Sequence, residues 1–151
     1  MVETIFVKQF KAVGGIIVSK KTNRVLTLMR SSKESYPGTW NFCGGKIEHD
    51  ESPHDALIRE INEELGEISI KKFTPLHRYQ SRSKDFIFDT FIVLTPDEFV
   101  PTLNWENSGY AWTEITTLPF PLHPKTKKML SSGKLITKFN TFCNWADTHD
   151  S

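Results

Sequence analysis

Apolar residues follow two rhythms along this chain. Residues 10–19 (Phe-Lys-Ala-Val-Gly-Gly-Ile-Ile-Val-Ser) and 24–29 (Arg-Val-Leu-Thr-Leu-Met) are apolar or β-branched runs split by the polar Lys20-Lys21-Thr22-Asn23, which predicts a hairpin. Pro37-Gly38 marks a turn before a short run at Trp40-Asn41-Phe42-Cys43. Residues 70–80 and 85–95 read as strands around Ser81-Arg82-Ser83-Lys84, and Tyr110-Ala111-Trp112 as a short further one. The helical rhythm holds in two places. In the first, Ser52 is the N-cap, Pro53 takes the first helical position, Asp55 follows three residues after the cap, and Gly66 is the stop. In the second, the pattern runs from Pro124 to about Cys143 with a break near Ser131-Ser132-Gly133. Strands before and after helices in this order predict an α/β fold, a mixed β-sheet between helices on both faces. With no internal repeat and no Gly/Ser- or Pro-rich linker, residues 1–151 read as a single domain.

Composition narrows the class. At 151 residues, 38% hydrophobic and 25% charged, the chain resembles an ordinary globular domain, not a disordered or fibrous one. No apolar run approaches the roughly 20 residues of a membrane-spanning helix, and Met1-Val2-Glu3-Thr4 lacks the basic start and apolar stretch of a leader, so a cytoplasmic location is expected. Cys43 and Cys143 lie far apart and outside any Cys-x-x-Cys spacing, and are expected as reduced thiols.

The net charge of +1 conceals a division. Residues 1–50 carry 8 Lys+Arg against 4 Asp+Glu, residues 51–67 carry 1 against 6, and residues 68–151 carry 10 against 8. One short acidic block therefore sits within a basic remainder. That arrangement argues against general nucleic-acid or membrane adhesion, which needs a broad positive surplus.

The block falls on the first helix. At 100° per residue, with Glu60 at 0°, Glu63 falls at about 300° and Glu64 at about 40°, while Leu57, Ile58, Ile61 and Leu65 fall between about 60° and 160°. Three carboxylates thus border the apolar stripe. Taken alone, Glu60, Glu63 and Glu64 fit either a solvated face partly neutralised by Arg59 or a site for a hard divalent cation, Mg²⁺ first, whose ligands are oxygens.

The surrounding residues add a fixed spacing: Gly45, five residues, Glu51, seven residues, then Arg59-Glu60-Ile61-Asn62-Glu63-Glu64-Leu65-Gly66. This resembles the signature of the Nudix hydrolase family (nucleoside diphosphate linked to X), MutT-like members included, over 45–67. The departure is Glu67, where an aliphatic residue is usual, with Ile68 one place late. The resemblance implies a Nudix-like α/β/α sandwich and a Mg²⁺-dependent pyrophosphohydrolase, with Mn²⁺ as a substitute. It implies metal ligation by Glu60, Glu63, Glu64 and the Gly44 carbonyl, with Glu106 completing the set from beyond the box. Arg59 and Glu51 would hold the loop against the helix, and Glu48 would be structural. The catalytic candidates are Glu60, Glu63 and Arg59, with Glu60 assigned to position or deprotonate the attacking water. His49 and His54 are set aside, because hard magnesium disfavours imidazole.

For substrate, Arg30 is placed as in relatives where this position meets phosphate. His123, in Leu118-Pro119-Phe120-Pro121-Leu122-His123-Pro124, would either hydrogen-bond a base or cap the following helix. The lysines at 125, 127 and 128 read as a helix surface. Signatures associated with NADH, coenzyme A and dinucleoside polyphosphate hydrolases are not evident, and Pro75 stands too early for the ADP-ribose marker. The expected substrate is therefore a small nucleotide, a nucleoside or deoxynucleoside triphosphate by elimination. ADP-ribose, nucleoside diphosphate sugars, dinucleoside polyphosphates and RNA 5′ ends stay open as alternatives, as does a Nudix-fold regulator without catalysis.

Overall fold

A computed structural model describes residues 9–149. The Met1–Thr4 start lies outside the described residues. Strand β1 (Phe10–Ser19) turns through Lys20–Asn23, with Asn23 at φ 59°, into β2 (Val25–Arg30). Strands β3 (Trp40–Asn41) and β4 (Cys43–Lys46) follow, then helix α1 (Pro53–Leu65). Next come β5 (Lys72–Gln80), β6 (Phe86–Thr95) and β7 (Asn107–Thr113), and finally helices α2 (Pro124–Leu130) and α3 (Gly133–Thr148). The expected break at Ser131–Gly133 separates the last two helices. The last strand starts earlier and α3 ends later than the apolar pattern suggested, because backbone pairing and helical hydrogen bonding continue through polar residues.

β1 organises the sheet. It pairs in parallel with β6 over ten residues, and β6 pairs antiparallel with β5. On its other edge β1 meets β2 at Val18–Val25 and meets β4 antiparallel from Ala12 to Gly15. The hairpin therefore closes only at its turn. Beyond it the two strands part, β3 pairs with β2 at Leu28 and Met29, and β4 lines β1. β7 completes the other edge of β2.

Both faces of β1 are covered, so Ala12 to Ser19 are almost continuously buried. Alternation sorts the side chains. Val13, Ile17, Phe91 and Val93 pack with Leu57, Ile61 and Leu65 of α1, whereas Ile16, Val18, Ile92 and Leu94 pack with Leu135, Phe139 and Cys143 of α3. The expected mixed sheet between helices is what forms. Cys43 and Cys143 are both free and buried. Among the described residues, no helix is long and apolar enough to cross a membrane.

α1 starts where its sequence says it should. Ser52 Oγ accepts the Asp55 N–H at 3.1 Å, satisfying one orphan donor of the first turn. Gly66, at φ 83°, ends the helix in a conformation that favours glycine.

Candidate active site

The site forms where α1 crosses the β4 strand and the start of β7. Gly44 and Gly45 allow the approach. A Cβ on Gly44 would run into the Val13 carbonyl, and one on Gly45 would lie 2.5 Å from Glu60 Oε1. Two glutamates that a helix surface would leave in water are consequently buried, Glu60 at 7% exposure and Glu64 at 5%.

Glu64 is held from three directions. Oε2 accepts the Gly44 N–H at 3.0 Å and lies 3.3 Å from the Cys43 thiol, while Oε1 accepts from Asn107 Nδ2 at 3.0 Å. These donors favour the carboxylate, but burial outweighs them, and Glu60 and Glu106 add repulsion. The Glu64 carboxyl is pushed up to about 8. Burial also raises Glu60, against the opposing pull of the Arg59 guanidinium, and raises Glu106. The Cys43 thiol is pushed well above its ordinary value by burial and by Glu64.

Arg59 ties the preceding loop to the helix. Its Nε and Nη2 grip the Glu51 carboxylate at 2.8 and 2.9 Å, and Nη2 also reaches the Lys46 carbonyl at 3.0 Å. Nη1 lies 3.1 Å from Glu60 Oε1 and 3.4 Å from Glu63. The bidentate grip holds Glu51 below the usual carboxylate range, and Glu51 Oε1 also accepts the Glu48 N–H at 2.8 Å.

One carboxylate oxygen each from Glu60, Glu64 and Glu106 lies within 4.8 Å of the others, a trio able to share a cation. Glu106 arrives from the turn before β7, braced by Asn104, whose Oδ1 accepts the Glu106 N–H at 3.0 Å. Glu63 stands apart from this trio, its side chain 48% exposed and turned to Arg59. The oxygen-only donor set and three crowded carboxyls, each raised by burial, fit a hard divalent cation, which would relieve their repulsion.

The substrate candidates meet at the β2–β3 loop. Arg30 is drawn into that loop: Nε donates to the Ser35 carbonyl at 2.6 Å, and Nη2 reaches Ser35 Oγ at 3.0 Å and Glu34 at 3.2 Å. His123 caps α2, its Nδ1 accepting the Lys125 N–H at 3.1 Å. The capping reading of His123 is thus the geometry present, and the hydrogen on Nε2 remains available as a donor. Burial first, then the charges of Arg30 and Lys125, lower its pKa. Tyr36, 55% exposed, stands edge-on to the imidazole at 4.9 Å between ring centres.

Sequence reasoning missed Asn107 and the thiol of Cys43 as holders of Glu64. Their only sequence signal is adjacency, Asn107 following Glu106 and Cys43 preceding the double glycine. Tyr36 carried none.

The sequence model of the NUDIX domain matches residues 8–132. The chain therefore belongs to the Nudix family and is a Nudix-type pyrophosphohydrolase, an acid anhydride hydrolase. It is 28% identical over 127 residues to a CTP pyrophosphohydrolase of Escherichia coli, covering 83% of this chain and 91% of that protein. It is 30% identical over 125 residues to the nucleoside triphosphatase NudI of Escherichia fergusonii, covering 74% of this chain and 88% of that one. In fold it resembles a MutT NUDIX hydrolase from Burkholderia pseudomallei, with a TM-score of 0.67 at 23% identity, over 83% of this chain and 98% of the other.

Proposed function

We propose that this chain hydrolyses a nucleoside or deoxynucleoside triphosphate to the monophosphate and pyrophosphate, using Mg²⁺ or, in its place, Mn²⁺. The observation that carries the reading is the convergence of Glu60, Glu64 and Glu106 within 4.8 Å, with Glu64 buried and fixed on both oxygens. The names of the relatives, a CTP pyrophosphohydrolase and a nucleoside triphosphatase, support the triphosphate as substrate.

Glu60, Glu64 and Glu106 would hold a divalent cation, which would supply charge neutralisation at the phosphate oxygens. The chain supplies position and proton transfer. Glu64 stays fixed by Gly44, Asn107 and Cys43 and sets the depth of the site. Glu60 accepts the proton of the attacking water, its carboxylate steered by Arg59. The Gly44 carbonyl would be a further ligand from the strand edge. Glu63, expected as a ligand with these, would reach the cation from the exposed rim of the helix. Arg30 contacts substrate phosphate, and the Nε2 hydrogen of His123 contacts the nucleoside.

A product-resolved assay over ribo- and deoxyribonucleoside triphosphates, nucleoside diphosphate sugars and ADP-ribose tests this. Equal release of monophosphate and pyrophosphate is expected from at least one triphosphate with Mg²⁺. Release of orthophosphate, or turnover of the diphosphate derivatives alone, overturns the reading.

A further inference from the structure

Beside the carboxylate site the sheet ends in a row of aromatic rings that the reaction does not use. Phe10 of β1 stacks on Phe86 of β6 at 5.7 Å between ring centres and 17° between planes, and Tyr79 of β5 follows 6.1 Å from Phe86. The row crosses three adjacent strands. Phe10 is 42% exposed and Tyr79 38%. Ammonium groups lie over these rings. Lys46 lies 5.6 Å from the Phe10 ring centre, Lys125 lies 5.7 Å from Phe10 and 5.2 Å from Phe86, and Lys128 lies 5.7 Å from Tyr79.

Of the acids nearby, Asp89 is paired with Arg78 at 2.7 and 3.1 Å, whereas Asp85, bonded to the Ser81 and Ser83 hydroxyls, keeps its negative charge against the three lysines. The strip therefore presents positive charge and π faces together. It also adjoins the site: the Lys46 carbonyl accepts from Arg59, Gly45 lies against Glu60, and the Lys125 N–H donates to His123.

We propose that this strip binds a single-stranded oligonucleotide, bases stacked on Phe10, Phe86 and Tyr79 and phosphates met by Lys46, Lys125 and Lys128, with one end of the strand beside the carboxylates. A row of rings, each with an ammonium group on a flexible stem over it, matches a polymer that carries a base and a single negative charge in every unit, the ammonium group passing from ring to phosphate as the base stacks. An anionic membrane would meet the same lysines and rings, but with no repeat to match the row, and it is the competing outcome of the test. The positive charge is a local strip, so a short strand is what it fits, not a broad nucleic-acid surface.

The test is fluorescence anisotropy with labelled single-stranded hexanucleotides, RNA and DNA in parallel, without terminal phosphate or divalent cation. Tyr79→Leu and Phe10→Leu keep apolar bulk and remove the stacking face, and each is expected to weaken binding about tenfold. Lys128→Glu should lower the slope of log affinity against log salt by about 0.7 or more. Triphosphate hydrolysis by Tyr79→Leu and Lys128→Glu should stay within about twofold of the parent, so the strip and the proposed reaction are judged separately. Absence of hexanucleotide binding, or binding that both ring variants leave unchanged, overturns the proposal. So does binding of anionic vesicles in place of the oligonucleotide.

Discussion

Helices α1 and α3 lie on opposite faces of one sheet and both begin at a serine, yet they bury different things. The inward side of α3 is Leu135, Phe139, Cys143 and Ala146. That of α1 is Ala56, Leu57, Ile61 and Leu65 together with Glu60 and Glu64. Each apolar side chain buried against the sheet stabilises by roughly 1.5–3 kcal/mol, and a buried carboxylate costs free energy unless it is paired or neutralised. α3 therefore gives its whole inward side to packing. α1 gives two core positions to groups whose repulsion a cation relieves, and its first turn and loop carry the compensating hardware: a bonded cap at Ser52 and the Arg59–Glu51 clamp.

Four measurements sharpen that contrast. Glu64→Gln removes a charge from the trio and should lower kcat/KM by about 1,000-fold, or about 4 kcal/mol of transition-state stabilisation, with the folded protein intact by circular dichroism. Activity preserved at ordinary magnesium concentration would show that Glu64 is not a ligand. On the other face, Leu135→Ala should cost about 3 kcal/mol of stability in urea unfolding while kcat/KM per folded molecule is unchanged.

The third concerns pH. In the cation-free protein Glu64 titrates near 8, against an ordinary value of 4.5. Between those values the folded state keeps a proton that the unfolded state has lost, so stability falls as pH rises from about 4.5 to 8. Thermal melting without cation should drop across that window. Added Mg²⁺ or Mn²⁺ should raise Tm more at pH 8 than at pH 5. Glu64→Gln should flatten the cation-free profile, and a profile already flat in the parent protein would refute the assignment.

The smallest effect separates the caps. Ser52 Oγ accepts an N–H at 3.1 Å, whereas Ser132 makes no side-chain cap bond. Ser52→Ala should cost about 1 kcal/mol, and Ser132→Ala less than about 0.5 kcal/mol. Equal losses would mean that the two helix starts are held alike.

Much of this was legible in advance, because the signals were local. The cap, proline and glycine bounded α1, and apolar runs located the long strands. The helical wheel set Glu60, Glu63 and Glu64 together beside the apolar stripe, but the structure buries Glu60 and Glu64 and leaves Glu63 at the rim, about 60° farther round. The insertion of β3 and β4 between the parted ends of β1 and β2 had no such signal, since β4 is short and carries two glycines. Glu106 was placed by its position before the last strand, and the structure brings it beside Glu60 and Glu64.

By itself the sequence determined where α1 starts and stops, which of its sides meets the core, and the spaced residues that mark the family. Only the tertiary structure decided which carboxylates converge and what holds them. Residue spacing sets an angle about one helix axis, whereas the depth and partners of Glu64 depend on Cys43 and Gly44, about 20 residues earlier, and on Asn107, 43 residues later. Desolvation, which raises the carboxyl to about 8, exists only once those distant segments have closed around it.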